Sequence, residues 1–148
     1  MKLPIKLLSD KIGRDIPLPY YATAGAAALD LHACLDQPET IPGGGQVLIP
    51  TGVAVAIPAG YVGILASRSS MGVRNGVGFS NGIGVIDSDY RGPLRVGLHN
   101  LREAPYTVQP GDRIAQLLVV PVACPELEVV DALPETERGE GGFGSTGR

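Results

Sequence analysis

The sequence predicts a single all-β domain, a sandwich or a barrel, and three observations lead to that fold class. The chain of 148 residues has the length of one domain. It is rich in turn-forming residues, with 21 glycines and 13 prolines. Its residues are nevertheless 44% hydrophobic, and many of these are valines and isoleucines. Short β-branched segments that alternate with turns are typical of small sandwiches and barrels.

Apolar segments between turn residues predict the strands. Five segments have this pattern: residues 3–8, 28–35, 47–66, 82–92 and 105–122. The third should contain two or three strands, because Pro50 and residues 58–60 interrupt it. The fourth has the pattern of a hairpin, with an apolar arm, an Asp-Ser-Asp turn and a return strand. The fifth predicts a strand, a turn and a second, strongly apolar strand.

The remaining segments complete the domain organisation. Residues 114–122 are almost wholly apolar, which predicts burial on both faces, either at the centre of a sandwich or against another subunit. One or two helical turns should begin near Ser69, since serine is a favourable N-cap. The apolar pattern stops near residue 134. We therefore expect a β core over 1–134 and a flexible, glycine-rich arm over 135–148.

Charge and cysteine usage narrow the functional classes. The net charge of −3 argues against a protein that binds duplex nucleic acid. After Lys11 every cationic residue is arginine, whose planar guanidinium suits phosphate oxygens. Cys34 and Cys124 have no metal or redox spacing, and we expect two buried, reduced thiols. With no predicted signal peptide or membrane span, the expected location is the cytoplasm.

Two segments in the first half of the chain carry candidate chemistry. Asp30 is the one carboxylate in the segment 22–31. It could accept hydrogen bonds from a turn, or hold a hydrated Mg²⁺ together with the phosphates of a ligand. In the segment 67–72, the guanidinium of Arg68 and the hydroxyls and amides of Ser69 and Ser70 could converge on an anion. Each segment alone is also compatible with an ordinary surface turn.

The segment 80–92 (SNGIGVIDSDYRG) offers groups for a base, a sugar and a water. Asn81 could pair with a base edge, and Tyr90 could lie flat beneath a sugar. Asp87 follows an apolar run, where a carboxylate could act as a general base toward water. A purely structural polar turn remains the alternative for this segment.

The last two segments lie in the C-terminal part of the chain. Within 110–117, Gln116 is polar among apolar neighbours and requires a partner, either the backbone or a phosphate. The tail 138–148 contains one aromatic residue, Phe143. Ordering a glycine-rich tail costs entropy, which stacking of Phe143 on a base would offset by about 1–3 kcal/mol. Other polar residues of the tail could then close over phosphates.

Taken together and in this order, SRSSMG, NGIGVIDSDYRG, PGDRIAQL and RGEGGFGSTGR resemble the motifs of the trimeric dUTPase family. The similarity runs from about residue 20 to the C-terminus. It implies a distorted jelly roll that assembles as a homotrimer with shared active sites. It also implies Mg²⁺-dependent hydrolysis of dUTP to dUMP and pyrophosphate, which keeps uracil out of DNA and supplies dUMP for thymidylate synthesis.

The resemblance also implies a role for each candidate residue. Asp87 would orient the water that attacks the α-phosphorus, Tyr90 would pack against the deoxyribose, and Asp30 would anchor water ligands of the Mg²⁺. Three further groups would bind the substrate: phosphate ligands at Arg68, Ser69, Ser70 and Gln116; uracil contacts from Asn81 and from the backbone around Val85, Ile86 and Arg95; and a closing arm with Arg138, Phe143, Gly144, Ser145 and Thr146.

Some positions depart from that pattern. Ala28 replaces a common glycine, while Ser70 and Met71 stand where many relatives have glycine and leucine. His32 and His99 match no catalytic position, and we expect both to be structural. The alternatives are a dCTP deaminase or bifunctional relative, a non-catalytic nucleotide-binding trimer, and a structural jelly roll. Residues 80–100 contain no glutamate for deaminase chemistry, whereas Asp87 and the tail are features that a pure binder does not need.

Overall fold

The computed structural model describes residues 1–142 of the chain. The described part is almost entirely β, as predicted, with antiparallel pairing throughout the named strands. The strands are β1 Ile5–Leu7, β2 Tyr20–Tyr21, β3 Leu29–His32, β4 Glu39–Ile41, β5 Gln46–Pro50, β6 Val53–Val55, β7 Tyr61–Ala66, β8 Val77–Phe79, β9 Gly84–Ile86, β10 Arg95–Asn100, β11 Tyr106–Val108 and β12 Arg113–Pro121.

Two sheets position the candidate site residues. The larger sheet has the order β2-β3-β12-β7-β9, and the second has the order β5-β10-β8. Two smaller ladders, β1-β6 and β11-β4, complete the fold. The long apolar strand β12 lies in the middle of the larger sheet, between β3 and β7. Strand β9 is the last strand of that sheet, so one of its edges has no strand partner within the described residues.

The core contains aliphatic side chains from both sheets. Ile49, Val96 and Leu98 of the second sheet are buried together with Leu65 and Leu117 of the larger one. Such dense aliphatic packing is the main stabilising contribution in a domain of this size. Thr51 and Asn100, two of the four buried polar or charged side chains, are satisfied by the backbone. Thr51 donates to Leu94 O at 2.8 Å, and the Asn100 amide donates to the carbonyls of Ile41 and Ala104.

The pairing of the 82–92 segment differs from the predicted hairpin. Strand β9 pairs with β7, whereas β10 pairs with β5 and β8. The two arms therefore belong to different sheets, and residues 87–94 form a connection between sheets, here called the β9–β10 loop. A hairpin and a connection between two sheets share the same local pattern of an apolar arm, a turn and a second arm. This pattern does not specify which strands pair, and the sequence alone could not distinguish the two.

Other expectations were confirmed, corrected or refined. The helix near Ser69 is a short π-helix over Ser70–Arg74, but the Ser69 side chain does not cap it. Cys34 is half-buried and Cys124 is exposed, so the expectation of two buried thiols was wrong for Cys124. The sequence patterns missed β2, β4 and β8, which have two or three residues each. No described helix is long and apolar enough to cross a membrane.

The C-terminal part of β12 and the residues after it are partly or largely exposed to solvent in the single chain. Burial along β12 is high from Ile114 to Leu117 and only partial from Leu118 to Val120, so the expected burial on both faces holds for the first half alone. Residues 122–142 contain no strand or helix. Leu127, Val129 and Leu133 in this segment are more than four-fifths exposed. The division into a core and an arm at residue 134 stays a prediction.

Candidate active site

An open cleft of about 380 Å³ lies under the β9–β10 loop. It gathers most of the residues that the sequence assigned to water activation, sugar contact and base recognition. Its lining consists of Val85, Ile86, Asp87, Tyr90, Pro93, Leu94 and Arg95. The larger sheet contributes β9 and the second sheet contributes the start of β10, so the cleft forms where the two sheets are joined.

The β9–β10 loop is stiffened by its own hydrogen bonds. The Tyr90 amide donates to Asp87 O at 3.2 Å. The Tyr90 hydroxyl donates to Pro93 O at 3.1 Å, which ties the ring to the far side of the loop. The Arg91 guanidinium donates to Ser88 O at 2.7 Å and to Tyr90 O at 2.8 Å. Asp87 is exposed and lines the cleft, so its carboxylate is accessible to water and to a ligand.

A second, adjoining cavity of about 290 Å³ brings Asn81 next to the same region. Arg95 lines both cavities, and Gly84 at the start of β9 lines the second. The turn before β9 is held by the Ile83 amide, which donates to Asn81 O at 2.9 Å. The full lining is Leu48, Leu65, Phe79, Ser80, Asn81, Gly84, Arg95, Val96 and Gly97. Asn81 and the exposed edge of β9 therefore face a continuous region of the surface.

A separate polar cluster is centred on Asp30, which is 1% exposed. The Arg68 Nε lies 3.2 Å from Asp30 Oδ1, and the Arg113 guanidinium donates to Oδ2 at 3.1 Å. The Gln116 amide donates to Oδ1 at 3.2 Å. The Arg68 contact is an ion pair of poor hydrogen-bond geometry, since its buried Nε has no hydrogen-bond partner among the described residues. Asp30 thus balances two guanidinium groups, one of which the sequence assigned to phosphate.

A β-bulge in β12 makes this cluster possible. Arg113 pairs with His32, Ala115 with Leu31, and Gln116 with Asp30, so one extra residue is accommodated between Arg113 and Ala115. In a regular strand, residues three apart point to opposite faces of the sheet. The bulge shifts the alternation by one residue, and both Arg113 and Gln116 therefore reach Asp30.

His32 lies beside this cluster and has a structural environment. Its ring stacks on Tyr20 with centroids 5.7 Å apart. Burial lowers the pKa of His32, an effect that nearby Asp30 opposes and that Arg113 and Arg68 reinforce. The expectation that His32 is structural stays a prediction.

The residues around Asp30 offer few free oxygen ligands for the Mg²⁺ that the family resemblance implies. Both Asp30 oxygens are engaged by arginine and glutamine, and two guanidinium groups disfavour direct coordination of a cation. Within residues 1–142 no three His, Cys, Asp or Glu side chains cluster as a metal site. These residues fit a hydrated ion that substrate phosphates hold, which is the usual manner of Mg²⁺ in nucleotide sites. The assignment of Asp30 as its anchor stays a prediction.

The Asp30 cluster and the Asp87 cleft lie at different positions along β7. Gln116 pairs with Ala66 at the C-terminal end of β7, and Arg68 follows two residues later. Ile86 pairs with Gly63 in the middle of β7, and Asp87 follows Ile86 toward the N-terminal half of that strand. Ala66 and Gly63 are three residues apart, so at about 3.3 Å per residue the two rows are separated by about 10 Å along the strand direction. One chain therefore brings its candidate residues together in two groups and not in one.

The remaining candidates are placed as follows. Ser69 and Ser70 are exposed at the start of the π-helix, close in sequence to Arg68. Arg138 lies in the strandless C-terminal segment, where its Nε donates to Gly141 O at 2.8 Å within a local turn. The tail residues Phe143, Gly144, Ser145 and Thr146 lie outside the described residues.

Two contributors were missed by the sequence reasoning. Arg113 pairs with Asp30, and Arg91 holds the β9–β10 loop. Both lie inside segments already singled out, in PGDRIAQL and DSDYRG. The available signal was the charge of each arginine next to a candidate residue, but the partner of each depends on contacts that the sequence does not specify.

The chain is similar to known proteins over nearly its whole length. The family model described as dUTPase matches residues 14–147. The deoxyuridine 5'-triphosphate nucleotidohydrolase of Idiomarina loihiensis is 48% identical over 148 residues, covering 99% of this chain and 98% of that protein.

Two solved structures extend the comparison. The dUTPase of Staphylococcus bacteriophage 80alpha, a mutant solved with dUpNHpp, has a TM-score of 0.87 at 29% identity, with 99% of each chain covered. A mutant dUTPase from phage phi11 of S. aureus, described for its coordination of a structural Mg(II) ion, has a TM-score of 0.78 at 26% identity and covers 89% of this chain and 98% of its own. Sequence and fold agree with these proteins over nearly the whole length, and the chain therefore belongs to the dUTPase family.

Proposed function

We propose that this protein hydrolyses dUTP to dUMP and pyrophosphate by attack of water on the α-phosphorus. The observation that carries the proposal is the cleft in which Asp87, the Tyr90 ring and the edge of β9 face one space. Membership of the dUTPase family and the phage relative solved with dUpNHpp support the same substrate. The reaction would remove dUTP from the precursors of DNA and supply dUMP for thymidylate synthesis, in the cytoplasm.

Asp87 is the proposed general base. Its carboxylate is exposed at the mouth of the cleft, where it can accept a proton from a water positioned for in-line attack. General-base assistance of this kind contributes about 10²–10⁴ in rate. The stiff loop matters because a base works efficiently only when it is held within hydrogen-bond reach of its water.

Recognition of uracil is proposed to use the edge of β9. A strand edge presents a row of backbone N–H and C=O groups that can pair with a ligand as they would with another strand. The backbone around Val85 and Ile86 provides such groups at every second residue, while Asn81 and the backbone of Arg95 lie next to it. A site built to hydrogen-bond uracil leaves buried groups unpaired against cytosine, which can give about 10⁴–10⁵ in discrimination.

Phosphate binding is proposed to use Arg68, Ser69, Ser70 and Gln116. Arg68 is held by Asp30 with its side chain 20% exposed, so the guanidinium is pre-oriented yet partly accessible. Mg²⁺, when bound with the triphosphate, would neutralise phosphate charge and favour departure of pyrophosphate. The protein's own contribution is to position the phosphate oxygens through charge-assisted hydrogen bonds.

A homotrimer with shared sites is proposed as the active form. The separation of Asp87 from the Asp30 cluster within one chain supports it, since groups from neighbouring subunits could then complete each site. The exposed apolar side chains of Leu127, Val129 and Leu133 also favour a subunit contact. The arm is proposed to close this site, with Phe143 stacked on the base, Arg138 near the γ-phosphate, and Gly144, Ser145 and Thr146 over the phosphates.

The first experiment measures pyrophosphate release from dUTP, dCTP, dTTP and UTP in parallel, with Mg²⁺ and with EDTA. We expect release from dUTP alone, and its loss on chelation. Ammonia from dCTP without pyrophosphate would instead indicate a deaminase. A protein that binds dUTP but releases neither pyrophosphate nor ammonia from any of the four nucleotides would be a non-catalytic binder.

A further inference from the structure

Gly92 lies against the ring of Tyr90, two residues away in the β9–β10 loop. A Cβ added at Gly92 would lie 2.5 Å from Tyr90 Cζ and 2.9 Å from Cε2. Ordinary carbon contacts are about 3.5–4.0 Å, so the ring and a side chain at position 92 cannot share this space. Gly92 is not among the glycines with positive φ. Its lack of a side chain is therefore required by the ring and not by the backbone conformation.

The loop leaves the ring few ways to adjust. The Tyr90 hydroxyl is bonded to Pro93 O, one residue beyond Gly92. Arg91, between Tyr90 and Gly92, holds the backbone of the loop through the carbonyls of Ser88 and Tyr90. A ring displaced by a methyl group at position 92 would have to break the bond to Pro93 and move toward solvent, to which Tyr90 is already 41% exposed.

We infer that Gly92 is a specificity-determining positioning residue, which seats the Tyr90 ring and thereby sets the preference for deoxyribose over ribose. The inference rests on the proposed function, in which Tyr90 packs against the deoxyribose. Steric exclusion of one hydroxyl group requires the ring to be placed to within a fraction of its diameter. If the Tyr90 ring is displaced, it no longer fills the space that a 2′-hydroxyl would occupy. It also makes a weaker contact with the sugar of dUTP.

The test is the variant Gly92→Ala, assayed by steady-state kinetics with dUTP and UTP. We expect the ratio of kcat/KM for dUTP to that for UTP to fall at least about tenfold, the size of effect that small steric changes produce in binding pockets. The change should appear in KM, with kcat for dUTP nearly retained, because Asp87 and Arg68 are untouched. A ratio within twofold of wild type in a folded G92A protein would overturn the inference.

Gly78→Ala is the matched control. Gly78 lies on β8, its φ is not positive, and a Cβ there meets nothing within 4 Å. It lines neither the cleft nor the adjoining cavity. G78A should therefore keep the wild-type ratio. An equal fall in G78A would show that the effect of G92A is unspecific, and would overturn the inference.

A double-mutant cycle with Tyr90→Ala separates positioning from a general structural role. If Gly92 acts through the ring, adding G92A to the Y90A protein should change the nucleotide ratio no further. The same fall in both backgrounds would overturn the inference. If G92A alone does not fold, a folded Y90A/G92A protein would support the ring clash, and an unfolded one would contradict it. A wild-type protein that does not hydrolyse dUTP would instead overturn the proposed function, before any variant is compared.

Discussion

Arg68 lies two residues beyond the C-terminal end of strand β7, whereas Asp87 follows Ile86, which pairs with Gly63 in the middle of that strand. A triphosphate site that uses both residues is most simply completed by two chains. An experiment can therefore ask whether Arg68 and Asp87 of one site come from the same subunit or from different subunits.

Mixed assembly of two inactive variants provides that experiment. Arg68→Ala and Asp87→Asn proteins are each expected to have little activity. If each site takes the two groups from different chains, random mixed trimers at equal amounts should recover about a quarter of wild-type activity, since one combination in four restores both groups. The measurement is dUTP turnover after the two proteins are unfolded together and refolded. No recovery in trimers of confirmed mixed composition would place both groups in one chain.

The role of Asp87 is tested by replacement with asparagine, which keeps its shape and removes its basicity. Turnover of dUTP should fall about 10²–10⁴-fold while dUTP binding survives. Asp89→Asn is the control, because Asp89 lies on the same exposed loop and does not line the cleft. Stopped-flow turnover and equilibrium binding of dUTP are measured for both variants. Undiminished turnover in D87N would remove Asp87 from the mechanism.

The arm is tested by deleting residues 138–148. Most dUTP hydrolysis should be lost. The melting temperature and oligomeric state should be unchanged, because the last strand ends at Pro121, well before residue 138. Phe143→Ala is the narrower variant, and it should weaken dUTP binding by an amount equivalent to about 1–3 kcal/mol. Circular dichroism and light scattering check the fold and the assembly. Unfolding of the shortened chain would show that the arm is structural.

The Asp30 cluster should contribute to stability as well as to the site. Asp30→Asn leaves two guanidinium groups without their counter-charge. Loss of one partner in a fully buried pair costs about 3–5 kcal/mol, and since Arg68 and Arg113 are 20% and 42% exposed we expect about 1–3 kcal/mol. Urea unfolding measures the difference. Asp36→Asn, which removes the exposed pair with Lys11, should have a much smaller effect. Equal losses would mean that burial of Asp30 is unimportant.

The extent to which the sequence predicted this fold depended on the length of each pattern. Strands β7 and β12 lie in long apolar runs and were predicted, whereas the short strands β2, β4 and β8 lie outside such runs and were missed. The partners of β9 and β10 were mispredicted, because strand pairing is decided by contacts far apart in sequence. The charged network around Asp30 depends on that same pairing.

The candidate site shows a similar division. The residues that line the cleft are close in sequence, from Val85 to Arg95. The segment 80–92 alone suggested Asp87 and Tyr90, and the family resemblance added Val85, Ile86 and Arg95. The Asp30 cluster joins residues more than 80 positions apart, at Asp30 and Gln116. The family resemblance predicted roles for Asp30 and Gln116 in the site, but it did not predict that Arg113 would pair with Asp30.

The bulge in β12 has a consequence for how this family should be compared and altered. The cluster at Asp30 depends on the number of residues between Arg113 and Gln116 as much as on their identities. In a chain with the same two residues but one residue fewer between them, one of the two side chains would point to the other face of the sheet. In an alignment, a single gap at this point therefore carries more functional information than several substitutions around it. In engineering, the spacing must be kept fixed before any side chain in the cluster is changed.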